Sequence, residues 1–452
     1  MHEGPLCRGL TGGEPLSVEA VHAYEDAPLR PFHLRVAAAS FGGVFSDGFG
    51  LGIIGIALGL AAPQLALTPL WLGLIGGASL AGLFLGALFT GPTADRFGRR
   101  PIFAYNMLLL AVLAGAQYLV QTAPQLLALR LLIGVLLGTD YVVSKALLTE
   151  FTPRAFRGRI MSTLSVAWAG GYTCAYFVGY ALADAGFDAW RWMLVASAVP
   201  CLLILPLRLT LPESPLWLVT HGRGVAAAAV VRRWIGPDVS PPNAPPIVPV
   251  VAGRWAQLLS PRWRRRTIVA CTFFTCQVIP YFAVGTFVTR VLEALEVGDS
   301  FVGGLVYNFS LLFGAVLGLM VVDRMPRRTF LVGSFAITAG AMLALLVLDD
   351  PGKFTIIALF ALFAFVLSAA SNLCYVYLPE LFPTDLRASG IGMAIAASRI
   401  GSAASTFLLP VVVASLGVRT ALGACFVVLA IGGLVSHALA PETRNSALDS
   451  TA

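Results

Sequence analysis

Apolar residues form repeated runs of about 20 residues along the chain, and short polar segments interrupt them. A run of this length is sufficient to cross a bilayer as a helix. The runs form two sets of six, separated by a polar stretch at about 212–266. They lie at about 36–60, 70–91, 101–121, 126–149, 160–183 and 189–210, then at about 268–289, 300–322, 329–348, 354–378, 388–414 and 417–438. The pattern predicts an all-α membrane protein with twelve transmembrane helices.

The composition agrees with a membrane protein. Hydrophobic residues make up 58% of the 452 residues and charged residues 12%, and the mean hydropathy is +0.83. Soluble domains are about 45–50% apolar and about 25% charged. These values exclude a soluble enzyme, a disulfide scaffold, a disordered chain and a nucleic-acid binder, despite the net charge of +7. Six of the seven Cys lie in apolar runs, so we predict buried thiols and no metal or cofactor.

Basic residues are distributed unequally between the two ends of the predicted helices. With both termini on one side, 23 of the 30 Lys and Arg lie on that side, four on the other and three within spans. Such an excess marks the cytoplasmic side, so we expect both termini to be cytoplasmic at a cell inner or plasma membrane. The predicted organisation is an arm at 1–35, a six-helix bundle at 36–211, a linker with amphipathic helices at 212–266, a second bundle at 267–439 and a tail at 440–452.

Three short motifs occur twice at nearly one spacing, of 228, 230 and 229 residues. The pairs are Asp95-Arg96-Phe97-Gly98-Arg99-Arg100 with Asp323-Arg324-Met325-Pro326-Arg327-Arg328, Glu150-x-x-Pro153-x-x-x-Arg157 with Glu380-x-x-Pro383-x-x-x-Arg387, and Pro212-Glu213-Ser214 with Pro441-Glu442-Thr443. Matches in the same order at one spacing indicate an internal duplication. Two homologous bundles related by an axis along the membrane normal would enclose a site near the bilayer midplane.

The motifs also carry a family resemblance. They are Gly91-x-x-x-Asp95-Arg96-x-Gly98-Arg99-Arg100, Arg130-x-x-x-Gly134, Glu150 to Gly158, Pro212-Glu213-Ser214-Pro215-Leu216-Trp217-Leu218, Pro379-Glu380-Leu381-Phe382-Pro383-Thr384-x-x-Arg387 and Pro441-Glu442-Thr443. In this order they resemble the major facilitator superfamily, and specifically its sugar-porter-like branch. The resemblance implies two pseudo-symmetric six-helix bundles and secondary transport by alternating access, often driven by protons.

Charged residues at the inner helix ends are typical of a gate. A carboxylate at a helix end can pair with Arg or with a helix N-terminus in one conformation and release it in another. Anchoring by positive charge would not require the acids. We therefore predict an inner-gate charge latch formed by Asp95, Arg96, Arg99, Arg100, Glu150, Arg157, Asp323, Arg324, Glu380 and Arg387. Pro326 stands where the first copy has Gly98, which predicts a weaker or differently shaped second latch.

Two acidic residues lie near the middle of predicted spans. Asp47 is about eleven residues into helix 1, and Asp140 is about fourteen residues from the outer end of helix 4. An Asp at the centre of a membrane helix costs about 2.5–3.5 kcal/mol on insertion scales, so it usually faces a cavity or a partner. Burial disfavours the charged form of a carboxylate, which favours reversible proton binding. We expect both residues to bind substrate or protons; a structural hydrogen bond to a neighbouring helix is the alternative.

Further polar residues within spans extend the predicted site. Arg399 and Lys145 would bind an anionic substrate or neutralise Asp47 or Asp140. Lys145 lies five residues after Asp140, roughly 140° around the helix, which disfavours a direct pair between them. Amide and phenol groups beside aromatic residues suit polar organic solutes. The other predicted proton-coupling or substrate-binding residues are Tyr141, Gln277, Tyr281, Asn308, Asn372 and Tyr375.

Two further positions in the first bundle, Arg130 and Gly50, also differ from the surrounding apolar pattern or from related symporters. Arg130 lies nearer the outer end of helix 4, so its long side chain is expected to reach the membrane surface. Gly50 stands where many proton symporters of the superfamily have a second acidic residue in helix 1.

The leading functional hypothesis is a proton-linked symporter for a small organic metabolite, such as a sugar or a carboxylate. The alternatives are an exporter of drugs or natural products and a transporter-like sensor that does not transport. An enzyme is not predicted, because the chain has no His-Glu-x-x-His, Gly-x-Ser-x-Gly or phosphate-binding-loop motif. The expected partners are a small-molecule substrate, protons and the lipid bilayer, with no nucleic acid, and the expected state is a monomer.

Overall fold

The computed structural model of the chain describes residues 22–243, 254–298, 300–349, 351–382 and 386–443. Parts of three predicted segments lie outside the described residues: the arm before residue 22, the linker at 244–253 and the tail after residue 443. The motif residues Pro383 and Thr384 also lie outside them.

The described part of the chain is built from α-helices. They are α1 (Pro31–Gly52), α2 (Ile54–Gln64), α3 (Pro69–Phe97), α4 (Arg99–Ala116), α5 (Ala123–Phe151), α6 (Arg154–Leu182), α7 (Ala189–Ala196), α8 (Ala198–Thr210), α9 (Pro215–Thr220), α10 (Gly224–Val230), α11 (Arg254–Leu258), α12 (Arg264–Thr286), α13 (Val288–Ala294), α14 (Ser300–Val321), α15 (Arg327–Val347), α16 (Lys353–Ser371), α17 (Leu373–Glu380), α18 (Arg387–Leu416) and α19 (Val418–Leu439).

Within the described residues, eleven helical stretches are long and apolar enough to cross a membrane. They include two stretches in which consecutive helices join, α1 with α2 and α7 with α8. The twelfth long segment is α6, which has 29 residues but contains three Arg near its start and many small polar residues. Six long segments therefore precede the linker and six follow it, which confirms the predicted all-α fold. The exact boundaries of arm, bundles, linker and tail stay a prediction.

The two halves pack their helices in the same pattern. In the first half α3 packs on α5, α1 on α6 and α4 on α8; in the second, α14 packs on α16, α12 on α18 and α15 on α19. The bundles meet where α3 packs on α18 and α6 packs on α14. The fold is thus two pseudo-symmetric six-helix bundles with a seam between them.

Glycines let the paired helices approach at backbone contact. A Cβ atom at Gly82, Gly134 or Gly138 would overlap backbone atoms across the α3–α5 contact. Gly314 and Gly318 have the same role where α14 packs on α16. Because small residues allow this close packing within lipid, α3 and α5 form a rigid pair, as do α14 and α16.

The described segment before α1 contacts both the first bundle and the described part of the linker. Arg30, which precedes α1, donates to the Ile235 carbonyl at 2.5 Å and to the two carboxylate oxygens of Asp238 at 2.7 and 2.6 Å. These hydrogen bonds from Arg30 lower the pKa of Asp238. The Tyr24 hydroxyl donates to the Glu150 carbonyl at 3.0 Å.

Candidate functional site

A cavity of about 580 Å³ lies between the two bundles. Its wall combines α1, α3, α5 and α6 with α12, α16, α17 and α18. The wall extends to Pro379 and Ile391, which adjoin the helix ends that carry Glu380 and Arg387. The cavity therefore opens towards the ends that carry the duplicated charged motifs, called here the basic end. Six of the nine predicted substrate or proton residues line it: Asp47, Tyr141, Gln277, Tyr281, Tyr375 and Arg399.

Asp47 on α1 is a buried carboxylate on this wall, and its side chain is 3% exposed. Within the described residues neither carboxylate oxygen has a hydrogen-bond partner. Because native proteins pair almost all buried polar atoms, an unpaired carboxylate beside a cavity is available for a ligand or a proton.

Two cations reach the same cavity from opposite bundles. The Lys145 Nζ atom lies 3.4 Å from the ring centroid of Tyr141 and 4.8 Å from that of Tyr375. The Arg399 Cζ atom lies 5.3 Å from the Tyr141 centroid. Cations are attracted to aromatic ring faces at these separations, so Tyr141 brings the two positive charges together.

Aromatic rings close the cavity on the side away from the basic end. The ring centroid of Trp168 on α6 lies 5.7 Å from that of Tyr281 and 5.9 Å from that of Phe282, both on α12. Further from the basic end, the hydroxyl groups of Tyr176 and Thr289 share a hydrogen bond of 2.9 Å. Both layers join the two bundles, so this end of the cavity is sealed.

Asp140 lies outside the cavity wall and forms a fully buried ion pair with Arg208 on α8. The Arg208 Nη2 atom donates to Asp140 Oδ2 at 3.0 Å, and Nη1 donates to Oδ1. Ser144 Oγ also donates to Oδ2, at 2.9 Å. Asp140 and Lys145 therefore point to different surroundings, as their helical spacing predicts. Arg208, counted from the sequence among the charges of the inner surface, is instead inside the bundle.

The predicted amides lie mainly at the contact between bundles. Asn372 Oδ1 accepts a hydrogen bond from Ser165 Oγ at 2.8 Å, and the main-chain carbonyl of Asn308 accepts one from Thr173 Oγ1 at 2.9 Å. Both acceptors belong to the second bundle and both donors to α6. Gln277 does line the cavity. The structure thus places Asn308 and Asn372 at the seam and not on the cavity wall.

Arg130 points into the bundle, in contrast to the expectation that it would reach the membrane surface. Its side chain is 1% exposed, and its Nη2 atom donates to the Gly50 carbonyl at 2.9 Å. Among the described residues no carboxylate forms an ion pair with it, and its Nε atom has no hydrogen-bond partner. The buried Arg130 guanidinium is thus paired with a main-chain carbonyl oxygen and not with a carboxylate.

Arg99 is the centre of a charge network at the basic end of the first bundle. Its guanidinium contacts the carboxylates of Glu150 at 3.0 Å and Asp95 at 3.2 Å. Glu213 accepts hydrogen bonds from the backbone N–H groups of Arg99 and Arg100, each at 3.1 Å. Glu213 therefore caps the N-terminus of α4, where unpaired N–H groups favour an anion.

Arg327 repeats this arrangement in the second bundle. Its guanidinium contacts Glu380 at 3.4 Å and Asp323 at 3.3 Å. Glu442 accepts from the backbone N–H groups of Arg327 at 2.9 Å and Arg328 at 3.0 Å. The partners are those of the first copy, with a longer Arg–Glu distance. Each of these ion pairs joins helices of one bundle.

The other predicted latch residues also correspond across the duplication. Arg157 and Arg387 each donate to main-chain carbonyl oxygens near the basic end, at 3.3 and 3.1 Å. Arg96 and Arg324 are exposed at the helix ends.

Several residues of these sites were not predicted from the sequence. Arg208 was assigned to the basic surface, although its position at the end of an apolar run allows burial. Glu213 and Glu442 were recognised as repeat markers but not as caps. The cavity wall also contains Trp168 and Phe282, for which an aromatic residue in an apolar run gives no distinguishing signal.

Comparison with known proteins agrees with this architecture. The sequence profile of the family described as "Sugar (and other) transporter" matches residues 36–452. The chain belongs to this transporter family. It is 40% identical over 420 residues to the inner membrane metabolite transport protein YgcS of Escherichia coli (strain K12), an alignment that covers 93% of this chain and 94% of YgcS. It is 25% identical to the arabinose-proton symporter of Bacillus subtilis (strain 168), with 91% and 92% of the two chains covered.

The fold matches that of a solved transporter. The partially occluded inward open conformation of the xylose transporter XylE from E. coli superposes with a TM-score of 0.75 at 20% identity, over 92% of this chain and all of XylE. This likeness establishes the major facilitator fold. The family match and the apolar helices together make the chain a multi-pass membrane transporter.

Proposed function

We propose that this transporter carries a small organic solute together with a proton across the cell inner membrane. The central cavity would open alternately to the two sides as the bundles move about their seam. The family includes an arabinose-proton symporter, which supports proton coupling. A binding site enclosed by one chain is consistent with a monomeric carrier.

Asp47 is the proposed proton carrier, and its unpaired carboxylate in the cavity wall is the observation that carries this proposal. A carboxylate beside a cavity whose charge changes when a ligand binds can take up and release a proton. Asp140 has a different proposed role, because Arg208 and Ser144 already satisfy its carboxylate. We assign Asp140 to holding α5 on α8.

The basic end is proposed to be cytoplasmic, with both described chain ends on that side. The positive-inside distribution of Lys and Arg supports this orientation. With it, the cavity faces the cytoplasm, and the Tyr176–Thr289 contact closes the outer side. We propose that the Arg99 and Arg327 networks brace the two bundles internally while they move, instead of forming a latch between bundles.

Transport into liposomes tests proton coupling. Protein reconstituted with the basic end inside should accumulate solute when the outside is acidic, and a protonophore should abolish accumulation. Asp47→Asn should lose pH-driven accumulation by about tenfold or more and retain exchange of labelled for unlabelled solute. The matched control is Asp184→Asn, which changes an exposed Asp outside the cavity and should transport normally.

Three outcomes would contradict the proposal. Wild-type accumulation that is insensitive to the protonophore would exclude proton coupling. If deletion of the transporter made cells lose resistance to a drug or natural product, the protein would be identified as an exporter. Binding without any flux in liposomes would identify a sensor.

A further inference from the structure

Lys145 and Arg399 place two positive charges on the cavity wall, and within the described residues neither is in direct contact with a carboxylate. Lys145 and Arg399 both contact Tyr141 through its ring face, and both line the cavity. Within the described residues neither forms an ion pair, and Arg399 Nε has no hydrogen-bond partner. Charges removed from water are costly unless they are paired. Two such cations facing one cavity therefore favour an anionic ligand.

The acids of the site neutralise at most one of these two cations. Asp47 is the one carboxylate among the described residues that line the cavity. Asp140 is occupied by Arg208 and lies off the wall. The wall thus carries two positive charges and one negative charge, which gives a net charge of +1 with Asp47 ionised and +2 with Asp47 protonated.

The amides that could recognise the hydroxyls of a sugar are already engaged or lie off the cavity wall. The Gln277 side chain already donates to the Leu367 carbonyl at 3.1 Å and accepts from Cys374 Sγ at 3.5 Å. Asn372, an amide expected to bind a polar solute, is engaged with Ser165 at the seam, and Asn308 also lies off the cavity wall. Each buried hydroxyl without a partner weakens binding, so these amides give a polyol little support on this wall.

The remaining surface suits an apolar body. Trp168, Tyr281 and Phe282 form the aromatic layer at the closed end of the cavity. Met161 and Ile395 add aliphatic surface elsewhere on the cavity wall. Such a wall, with a small number of charged groups that fix orientation, is typical of sites for small organic molecules.

We propose that the cavity binds a small organic monocarboxylate, with its carboxylate between Lys145 and Arg399 and its apolar, preferably aromatic, body against Trp168 and Phe282. This inference rests on the proposed proton-coupled transport and specifies its substrate class.

The charges of the site explain why one proton would accompany one anion. The empty cavity with ionised Asp47 has a net charge of +1. Binding of a monoanion with protonation of Asp47 leaves the net charge at +1. The anion, in turn, favours the neutral form of the nearby acid. Empty and loaded carriers would therefore have the same charge in the membrane, so the reaction moves no net charge.

Ligand binding to the purified full-length protein in detergent tests the substrate class without transport. Benzoate is the probe, benzamide its neutral isostere and D-xylose a neutral polyol. Benzoate should raise the apparent Tm at low salt, because a ligand stabilises the state that binds it. Benzamide and D-xylose should not change the Tm. Stabilisation by D-xylose without stabilisation by benzoate would overturn the proposal.

Variants locate the anion site. Lys145→Gln and Arg399→Gln should each weaken benzoate binding by about tenfold or more, because each removes a charge-assisted contact. Lys145→Arg retains the positive charge and should therefore retain at least part of the affinity for benzoate. Lys353→Gln and Arg419→Gln alter exposed cations elsewhere and should bind normally. Lys145→Met, which keeps the apolar stem, replaces Lys145→Gln if that variant is unstable. Unchanged affinity in folded variants of both Lys145 and Arg399 would overturn the proposal.

Proton uptake separates this inference from the proposed function. When benzoate is added to wild-type protein in weak buffer, the protein should take up as many as one proton per bound anion, and the pH of the solution should rise. The Asp47→Asn variant should show no such rise in pH. Binding without proton uptake would leave anion recognition intact and contradict coupling through Asp47. Proton-driven D-xylose uptake without benzoate binding would preserve coupling and contradict anion recognition.

Discussion

Arg208 and Asp140 form a fully buried, two-point ion pair that joins α8 to α5. The Nη2 atom of Arg208 donates to Oδ2 of Asp140 at 3.0 Å, and Nη1 donates to the other oxygen. Arg208 also donates to the carbonyls of Ala39 at 3.2 Å and Phe103 at 3.1 Å. One guanidinium thus connects four helices of the first bundle. The pair has the geometry of a structural contact and lies off the wall of the cavity.

Removal of one partner should therefore destabilise the protein. Asp140→Asn leaves the Arg208 charge buried without compensation, and we expect a loss of about 3–5 kcal/mol in the free energy of unfolding. The double variant Asp140→Leu with Arg208→Met removes both charges and should recover most of the stability. Thermal unfolding in detergent measures both effects. If the double variant is stable but has lost proton-driven uptake, Asp140 has a role in transport beyond structure.

The two glutamate caps should contribute equally to stability. Glu213→Ala and Glu442→Ala each remove a carboxylate that accepts two backbone N–H groups at a helix N-terminus. The loss of such a cap costs about 1 kcal/mol, so each variant should melt earlier by a similar amount. Glu25→Ala, which changes an exposed Glu, is the control. Unequal losses would show that the duplicated networks differ in strength despite their common geometry.

Arg130 provides a site at which stability should be gained. Outside the backbone of α1 itself, a Cβ atom at Gly50 would have its nearest neighbour at 4.0 Å, the Leu137 side chain, so a larger residue can be placed there. Gly50→Asp would give Arg130 a carboxylate partner, and we expect a gain of about 1.5–3 kcal/mol, as for a hydrogen bond to a charged group. Gly50→Asn is the uncharged control. Equal melting temperatures for the two variants would exclude charge pairing with Arg130.

The Arg30–Asp238 contact should depend on pH in one direction. Because the hydrogen bonds from Arg30 lower the pKa of Asp238, this contact stabilises the protein above the ordinary carboxylate pKa of about 3.9. Its contribution is lost as the pH falls through the lowered native value. Asp238→Asn should therefore lower the free energy of unfolding at pH 7. In acid, the free energies of unfolding of the variant and the wild type should become equal. Asp184→Asn should show no such convergence. A constant difference from pH 7 to pH 3 would contradict the assignment.

The sequence predicted the architecture more completely than the site. Hydropathy and the three repeated motifs were sufficient for twelve helices in two bundles, since spans and duplications are local patterns. Asp47 and Arg399 were predicted on the cavity wall because a charge in a span needs a cavity or a partner. That rule does not distinguish the two cases: it gave Asp140 the same role, although its partner Arg208 is 68 residues away in sequence.

The amides show a second limit of sequence reasoning. Asn308 and Asn372 have the chemistry of solute-binding residues, yet the Asn372 side chain and the main-chain carbonyl of Asn308 hydrogen-bond across the bundle seam. Helix periodicity does not tell which polar face meets the other bundle and which meets the cavity. The capping roles of Glu213 and Glu442 depend on the positions of α4 and α15, which are distant in sequence, so the sequence alone did not reveal these roles.

The glycine contacts between α3 and α5 have a practical consequence for protein engineering. Positions 82, 134 and 138 tolerate no side chain without a shift of the facing backbone, so a mutant library that includes them would consist largely of misfolded variants. Tyr141, on the same helix as Gly138, lines the cavity and makes no such backbone contact. Directed evolution towards a new cargo should therefore randomise the cavity wall and keep this glycine scaffold constant.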